Sequence, residues 1–221
     1  MVAIDGPAGA GKSTVARKLA ARLNYVYVDS GAMYRAVTLK VLRMGVEPSD
    51  SVQVASVASD ARIELVVSPS DKNETRVFLD CEDVTEAIRT PEINEAVPVV
   101  AANPGVRKCL LQAQRQLASQ GGLVMDGRDI GTVVLPGADL KIYLTASLQE
   151  RAARRCIELR AKGFAVDIEQ VRQEIAQRDK VDSSRAVAPL AQASDAVVVD
   201  TTGIPVAEVV ERILDICCGR M

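Results

Sequence analysis

The residues with the clearest chemical potential are three glycines, a lysine and a serine near the start of the chain. Residues 6–13 read GPAGAGKS, which fits the phosphate-binding pattern G-x-x-x-x-G-K-[ST]. The glycines allow a tight turn close to a polyphosphate, and N–H groups at the following helix start surround it. Lys12 is expected to reach the β- and γ-phosphates, and the Ser13 hydroxyl to bind Mg²⁺. The expected ATP-binding residues are Gly6, Pro7, Ala8, Gly9, Ala10, Gly11, Lys12, Ser13 and Thr14.

The sequence on either side of this loop predicts the strand and the helix that the pattern requires. Residues 2–5 (VAID) form a short apolar run before the loop. After the loop, Ala16, Leu19, Ala20 and Leu23 recur at helical spacing and share one apolar face. The alternative is a glycine-rich turn between a strand and a helix, with an exposed lysine.

A second loop combines a helix start with an arginine. In residues 29–35 (DSGAMYR), Ser30 and Gly31 can begin a helix whose N-terminus attracts an anion. Arg35 lies on the first turns of that helix and can reach the same anion with a bidentate guanidinium. The simpler alternative is a capping serine followed by a surface arginine.

A third loop places opposite charges side by side between two glycines. In residues 126–132 (DGRDIGT), Arg128 can clamp a phosphate while Asp129 accepts a hydrogen bond from an amino or hydroxyl group. The alternative is a local ion pair between these two neighbours.

A basic helical segment, residues 151–185, carries the fourth motif. It contains nine Lys or Arg against six Asp or Glu, a balance of +3. Arg178, Asp182 and Arg185 recur at i, i+4 and i+7, so on a helix they share one face and can bind hydroxyls and phosphates together. We expect residues 151–170 to form a short lid that closes over phosphates. The alternatives are a salt-bridge ladder and a solvated helical hairpin.

Five short apolar runs predict the strands that position these loops. They alternate with helical stretches, which is typical of a parallel sheet with helices on both faces, an α/β fold. Four of the runs end at aspartate, and ligands gather at the carboxyl ends of such strands. We therefore expect some of these aspartates to face the site and others to cap helices. The runs are residues 2–5, 25–29, 123–126, 140–145 and 196–200.

The middle of the chain predicts a small inserted subdomain. Residues 61–67 alternate apolar and polar side chains, residues 68–73 form a turn cluster, and residues 75–80 resemble a second strand. Residues 83–85 are a candidate third strand. We expect an antiparallel sheet within residues 39–88, inside one unit that spans residues 1–221.

The whole-chain composition limits the class of protein. The chain has 221 residues, a net charge of −2 and five scattered cysteines, which we expect to be reduced and mostly buried. Neither nucleic-acid binding nor membrane association is indicated, and a monomer in the cytoplasm is the default expectation. The chain also has no histidine, so the commonest general base is missing. Phosphoryl transfer fits this composition because positioning and charge neutralisation supply most of its catalysis.

Together the motifs resemble those of the bacterial-type cytidylate kinases, over essentially the whole length. The resemblance rests on five runs: residues 4–14, 29–35, 88–90, 126–134 and 185–190. It implies a phosphate-loop kinase fold and transfer of the ATP γ-phosphoryl group to CMP or dCMP with Mg²⁺. It also implies that the inserted sheet is a monophosphate-binding subdomain.

The resemblance further assigns roles to single residues. Arg107 and Asp129 match positions that contact the cytosine ring. Arg35 and Arg128 match positions that hold the acceptor's phosphate. Arg178, Asp182 and Arg185 match positions around the sugar and phosphates. We expect Lys12, Arg128, Arg178 and Arg185 to be catalytic, and Ser30 to join the substrate-binding set. Pro98 stands about where the family often has a serine, which leaves that base contact without a donor.

Two rival functions differ in what they require of the residues. The first rival is a small kinase that acts on UMP, AMP or a hydroxyl acceptor such as shikimate. A hydroxyl acceptor would need a base such as Asp5 or Asp29. A slow nucleotide-operated switch is the other, and it usually carries a strand ending in D-x-x-G. Residues 126–129 (DGRD) lack that final glycine.

Overall fold

The computed structural model describes residues 1–67, 75–161 and 163–220. Eight strands and eight α-helices follow one another along these residues. The strands are β1 (Val2–Asp5), β2 (Val26–Asp29), β3 (Ile63–Val67), β4 (Thr75–Leu79), β5 (Glu82–Asp83), β6 (Leu123–Gly127), β7 (Leu140–Thr145) and β8 (Val197–Asp200). The helices are α1 (Lys12–Leu23), α2 (Ser30–Arg43), α3 (Ser51–Ser59), α4 (Pro91–Ala102), α5 (Pro104–Ala118), α6 (Leu148–Ala161), α7 (Ile168–Ser184) and α8 (Val206–Arg220).

The five predicted strands form one parallel sheet in the order β2-β6-β1-β7-β8, which confirms the α/β prediction. β1 lies in the centre, where its residues are buried on both faces, as expected of a continuous apolar run. β6 pairs with β1 and with β2, so the carboxyl ends of these three strands lie side by side. The loops that follow them therefore meet at one edge of the sheet.

Two apolar layers cover the faces of this sheet. On one face, α1 and α8 pack their apolar stripes onto the strands, with Leu19 and Ile213 fully buried between them. On the other face, Met125 and Val28 pack near Ala118 of α5. Full burial of a leucine or isoleucine side chain contributes about 1.5–3 kcal/mol, so these layers hold the strand ends rigidly in place.

The inserted sheet is present, with its third strand displaced from the prediction. β3, β4 and β5 are antiparallel in that order, and β4 packs against α2 through Val77 and Leu79. β5 covers Glu82–Asp83 and not residues 83–85. The reason is that the Thr85 hydroxyl accepts from the main-chain N–H of Val77 at 2.9 Å, which replaces a strand-to-strand bond. The predicted turn at residues 68–73 lies outside the described residues.

The basic segment folds into two packed helices, α6 and α7. They enclose a small apolar cluster formed by Ala152, Cys156, Val171 and Ile175. Arg185, which we placed on the helix, lies one residue beyond its end with an extended main chain. The helix stops because the Leu190 N–H donates to the carbonyl of Asp182 at 2.8 Å, so the chain folds back there.

Candidate active site at the carboxyl edge of the sheet

The predicted phosphate loop lies between β1 and α1, at the carboxyl edge of the sheet. Gly6 has a φ of +150°, and a Cβ atom there would lie 1.9 Å from the carbonyl oxygen of Leu144. Only glycine fits this contact. Gly11, with φ of +87°, caps α1 in the left-handed region. The glycine spacing thus has a direct steric cause.

Lys12 is buried at the start of α1, where its ammonium donates to the carbonyl of Pro7 at 2.8 Å. Burial, together with the nearby Arg128 guanidinium, lowers the pKa of Lys12 to about 7. The nearby Asp126 and Asp5 carboxylates offset only part of the cost of a charged lysine in this position, and a bound polyphosphate would offset more of it.

Asp126 is a functional candidate that the motif analysis did not single out. It ends β6, and its carboxylate accepts from the Ser13 hydroxyl at 3.0 Å and from the Tyr27 hydroxyl at 2.8 Å. Burial, with the nearby Asp29 carboxylate, raises the pKa of Asp126 to about 6. The strand-ending aspartate was the available signal, but the pairing of β6 beside β1 was needed to bring it to Ser13.

The other strand-ending aspartates have structural partners, as predicted for some of them. Asp5 accepts from the N–H groups of Ile130 and Gly131 at 2.8 and 2.7 Å, and so braces the loop after β6. Asp29 caps α2 by accepting from Ala32 N–H at 3.1 Å. Because both Asp5 oxygens are engaged, Asp5 is poorly suited to act as a base on a hydroxyl acceptor.

Asp129 lies at the centre of a buried network of charges. Its carboxylate forms ion pairs with Arg107 from α5 and, at 3.2 Å, with Arg185. Arg107 stacks over the Tyr34 ring, with 5.2 Å from guanidinium carbon to ring centroid. The side chains of Asp129, Arg107 and Arg185 are each at most 6% exposed. The arrangement presents a carboxylate and two guanidiniums at one end of the cavity.

Arg128 forms its ion pair with Asp182 of α7, at 2.7 Å, and not with its neighbour Asp129. Although burial opposes it, the Arg128 guanidinium holds the pKa of Asp182 below its ordinary value. Arg178 is one turn away, and burial followed by repulsion from Arg128 lowers its pKa to about 10. Its buried Nε atom has no hydrogen-bond partner among the described residues, which leaves donor capacity for a ligand.

The residues after β2 also lie in the site. Arg35 reaches across to the side-chain oxygen of Asn94 on α4. The Ser30 hydroxyl donates to the carbonyl of Asp126 at 2.6 Å, so it joins α2 to β6. Ser30 therefore borders the site, with its proton already engaged.

One cavity of about 1770 Å³ joins the phosphate loop to the charged network. Lys12 and Ser13 line one part of it, and Arg107 and Asp129 line another. Pro98 lines it as well, near Ala101. Four arginines in its wall had not been named as site residues, although Arg89 lies in one of the runs that carry the resemblance and Arg154 and Arg155 lie in the basic segment. They are Arg17, Arg89, Arg154 and Arg155.

No helix in the described part of the chain is both long and apolar enough to cross a membrane.

Known proteins match this sequence over nearly its whole length. The sequence matches the model of the cytidylate kinase family over residues 2–218. A cytidylate kinase of Symbiobacterium thermophilum is 52% identical over 217 residues, 98% of this chain and 95% of that protein. One from Anoxybacillus flavithermus is 53% identical over 220 residues, 100% of this chain and 96% of that protein.

Among solved structures, an uncharacterized protein from Eubacterium ventriosum has a TM-score of 0.52 at 11% identity, covering 97% of this chain and 95% of that one. That likeness concerns the fold alone. By contrast, the family match and the two relatives, which are 52% and 53% identical to this chain, cover nearly the full sequence. The chain belongs to the cytidylate kinase family.

Proposed function

We propose that this chain transfers the γ-phosphoryl group of ATP to CMP or dCMP, giving CDP or dCDP. The observation that carries this is a single cavity that is lined by the phosphate loop and also by a second group of arginines, Arg35, Arg128 and Arg178, which can bind another phosphate. A cavity with one phosphate site would suit a nucleotide switch. Two such sites suit a donor and a phosphorylated acceptor.

The donor side consists of the phosphate loop and Lys12. The N–H groups at the start of α1 surround the β- and γ-phosphates, and Lys12 moves its ammonium from the Pro7 carbonyl to the phosphates. In the transferring group, negative charge is spread over three oxygens. Lys12, Arg128 and Arg178, which line the same cavity, offset that charge.

On the acceptor side, Arg35 and Arg128 bind the monophosphate, and Asp182 and Arg185 bind the sugar and its phosphate. The attacking atom is a phosphate oxygen, and the second pKa of such a group is about 6. It is largely ionised at neutral pH, so no side chain has to remove a proton. This is consistent with the absence of histidine and with the engaged carboxylate of Asp5.

Asp129 and Arg107 are the proposed contacts to the base. The 4-amino group of cytosine donates to the Asp129 carboxylate, and the Arg107 guanidinium donates to the ring acceptors. UMP carries a carbonyl in place of that amino group, which the carboxylate repels. Pro98, in the wall of the cavity, contributes no hydrogen-bond donor of its own.

The substitution Asp129→Asn tests this assignment. Losing a charged hydrogen bond to cytosine is expected to lower kcat/KM for CMP by about 10- to 100-fold. The rotatable amide can donate to the uracil carbonyl, so the ratio of CMP to UMP turnover should fall at least as far. Turnover of each acceptor with ATP is the measurement, with Asp139→Asn as the control at an exposed ion pair. An unchanged CMP to UMP ratio in Asp129→Asn would contradict the base contact.

We propose Ser13 and Asp126 as the residues that hold Mg²⁺, because a hydroxyl and a buried carboxylate 3.0 Å apart suit a hard cation. When bound there, Mg²⁺ would offset the charge of the ATP phosphates. Asp126→Asn is expected to raise the Mg²⁺ concentration for half-maximal activity by about 10-fold or more. A magnesium titration at saturating ATP and CMP measures this, and an unchanged midpoint would remove Asp126 from the site.

We also propose a monomer in the cytoplasm. All five cysteines are free thiols, which is typical of a reducing compartment. Only Cys156 and Cys217 are buried, so the expectation that most of the thiols are buried was wrong. The lid at residues 151–170 and the substrate-binding role of residues 39–88 remain predictions. Size-exclusion chromatography with light scattering tests the monomer.

A further inference from the structure

Ala8, inside the phosphate loop, is held through both its N–H and its carbonyl by the two helices of the basic segment. Its N–H donates to Oδ1 of Asp179 on α7 at 3.0 Å. Its carbonyl accepts from Nη1 of Arg151 on α6 at 3.0 Å. The same guanidinium forms an ion pair with Oδ2 of Asp179. Three groups from three separate segments thus close one hydrogen-bonded ring, which we call the Ala8 clasp.

Apolar packing of the Ala8 side chain adds to the hydrogen bonds of the Ala8 clasp. The Ala8 methyl group belongs to the apolar cluster between α6 and α7, together with Ala152, Cys156 and Ile175. A Cβ atom at Gly9 would come within 3.2 Å of the Arg151 side chain, so the loop lies directly against α6. The phosphate loop is therefore inserted between the two helices by its main chain and by its side chain.

Asp179 is next in sequence to Arg178 and less than one turn from Asp182. Arg178 and Asp182 line the cavity, whereas Asp179 contacts the main chain of the loop at Ala8. One turn of α7 therefore contacts the donor loop through Asp179 and the acceptor side through Arg178 and Asp182. The distance between the donor loop and the acceptor side therefore depends on the position of this turn.

We propose that Asp179 and Arg151 are positioning residues that hold the phosphate loop in register with the acceptor site. The proposal rests on the donor role of the loop stated above. Phosphoryl transfer needs the attacking oxygen in line with the γ-phosphorus, and a misplacement of about 1 Å can cost about 100-fold in rate. Neither residue contacts the reacting atoms. Both act through Ala8.

Two substitutions at Asp179 separate the parts of the clasp. Asp179→Asn keeps an oxygen for the Ala8 N–H and removes the charge that pairs with Arg151, and it adds no cavity. Asp179→Ala removes both interactions. We expect kcat to fall about 10-fold in the first variant and about 100-fold in the second, with a raised KM for ATP. The dissociation constant for CMP should stay unchanged, because Asp182 and Asp129 keep their own arginine partners.

The matched control is Glu208→Gln, which removes an exposed carboxylate that pairs with Arg212 on α8, outside the basic segment. It should leave kcat and both KM values unchanged. Arg151→Met removes the other partner of the ion pair. When Asp179→Asn and Arg151→Met are combined, kcat should be no lower than in the less active of the two single variants, because both substitutions break the same interaction.

The outcomes are distinguishable. If the wild-type chain does not phosphorylate CMP with ATP, the proposed function fails before the clasp is tested. If it does, a melting temperature lowered in Asp179→Asn with kcat retained means a purely structural pair and overturns the proposal. Equal losses in CMP affinity and kcat, or single effects that multiply in the double variant, also overturn it. A fall in kcat with CMP affinity retained supports it, even where Asp179→Ala does not fold.

Discussion

Replacing Lys12 by alanine is expected to lower kcat at least about 100-fold, since removing one preorganised charge from a transition state typically costs that much or more. The side chain is buried beside Arg128 and Arg178, and its ammonium donates to the Pro7 carbonyl. Its position at the first residue of α1 directs the ammonium into the phosphate loop. A coupled assay with saturating CMP and ATP measures the loss.

Lys18→Ala is the matched control, because Lys18 lies on the same helix and is exposed. It should retain wild-type kcat. A second readout concerns protons. The pKa of Lys12 is lowered to about 7 in the free protein, and a bound polyphosphate favours the charged form and raises it. At pH 8, where the phosphates are ionised, ATP binding should therefore take up protons.

Calorimetry in two buffers of different ionisation enthalpy detects this uptake. It should disappear in Lys12→Ala. Near-normal turnover in that variant, or uptake that persists without the lysine, would contradict the assignment of the loop.

Replacing Arg185 by alanine should lower kcat/KM for CMP by about 100-fold, although the residue is distant from the phosphate loop in sequence. Its guanidinium holds Asp129 at 3.2 Å, donates to the Ala188 carbonyl at 2.6 Å and lies 3.7 Å from Asp182. Truncation leaves the buried Asp129 carboxylate with Arg107 as its remaining arginine partner and removes the hydrogen bond to the Ala188 carbonyl. The acceptor side should be affected most, so the KM for ATP should change little.

Arg172→Ala is the control on α7, the helix that ends just before Arg185, because Arg172 pairs with Glu169 at the surface. Arg185→Lys keeps the charge and loses the fork, so it should recover only part of the activity. Initial rates at varied CMP and varied ATP, with a melting curve for each variant, separate binding from stability. If Arg185→Ala only melts earlier and keeps kcat/KM, the surface salt-bridge interpretation of this helix end is correct.

Several parts of the site follow from residues close together in sequence. The strand, loop and helix around residues 2–23 depend on apolar periodicity and on glycines that tolerate φ of +150° and +87°. The five strands were predicted to within two residues at either end because buried parallel strands are short apolar runs bounded by turns. The helical periodicity around Arg178 and Asp182 is of the same local kind.

Other parts depend on contacts between distant segments. Residue patterns predicted Asp129 as a ligand residue, but not that Arg107 and Arg185 would both pair with it. Arg107 entered the prediction only through the family resemblance. Arg185 fitted a helical face by spacing, yet the chain leaves the helix just before it.

The physical reason is the range of the interactions. Hydrogen bonds within one helix and the alternation along one strand involve near neighbours, so a short stretch of sequence specifies them. The sequence thus predicted a donor loop, a second phosphate-binding set and the chemistry that both would permit. The order β2-β6-β1-β7-β8 decided that Asp126 faces Ser13, and the packing of α6 on α7 decided that Asp179 holds Ala8. Those contacts join residues 113 and 171 positions apart, which no local pattern encodes.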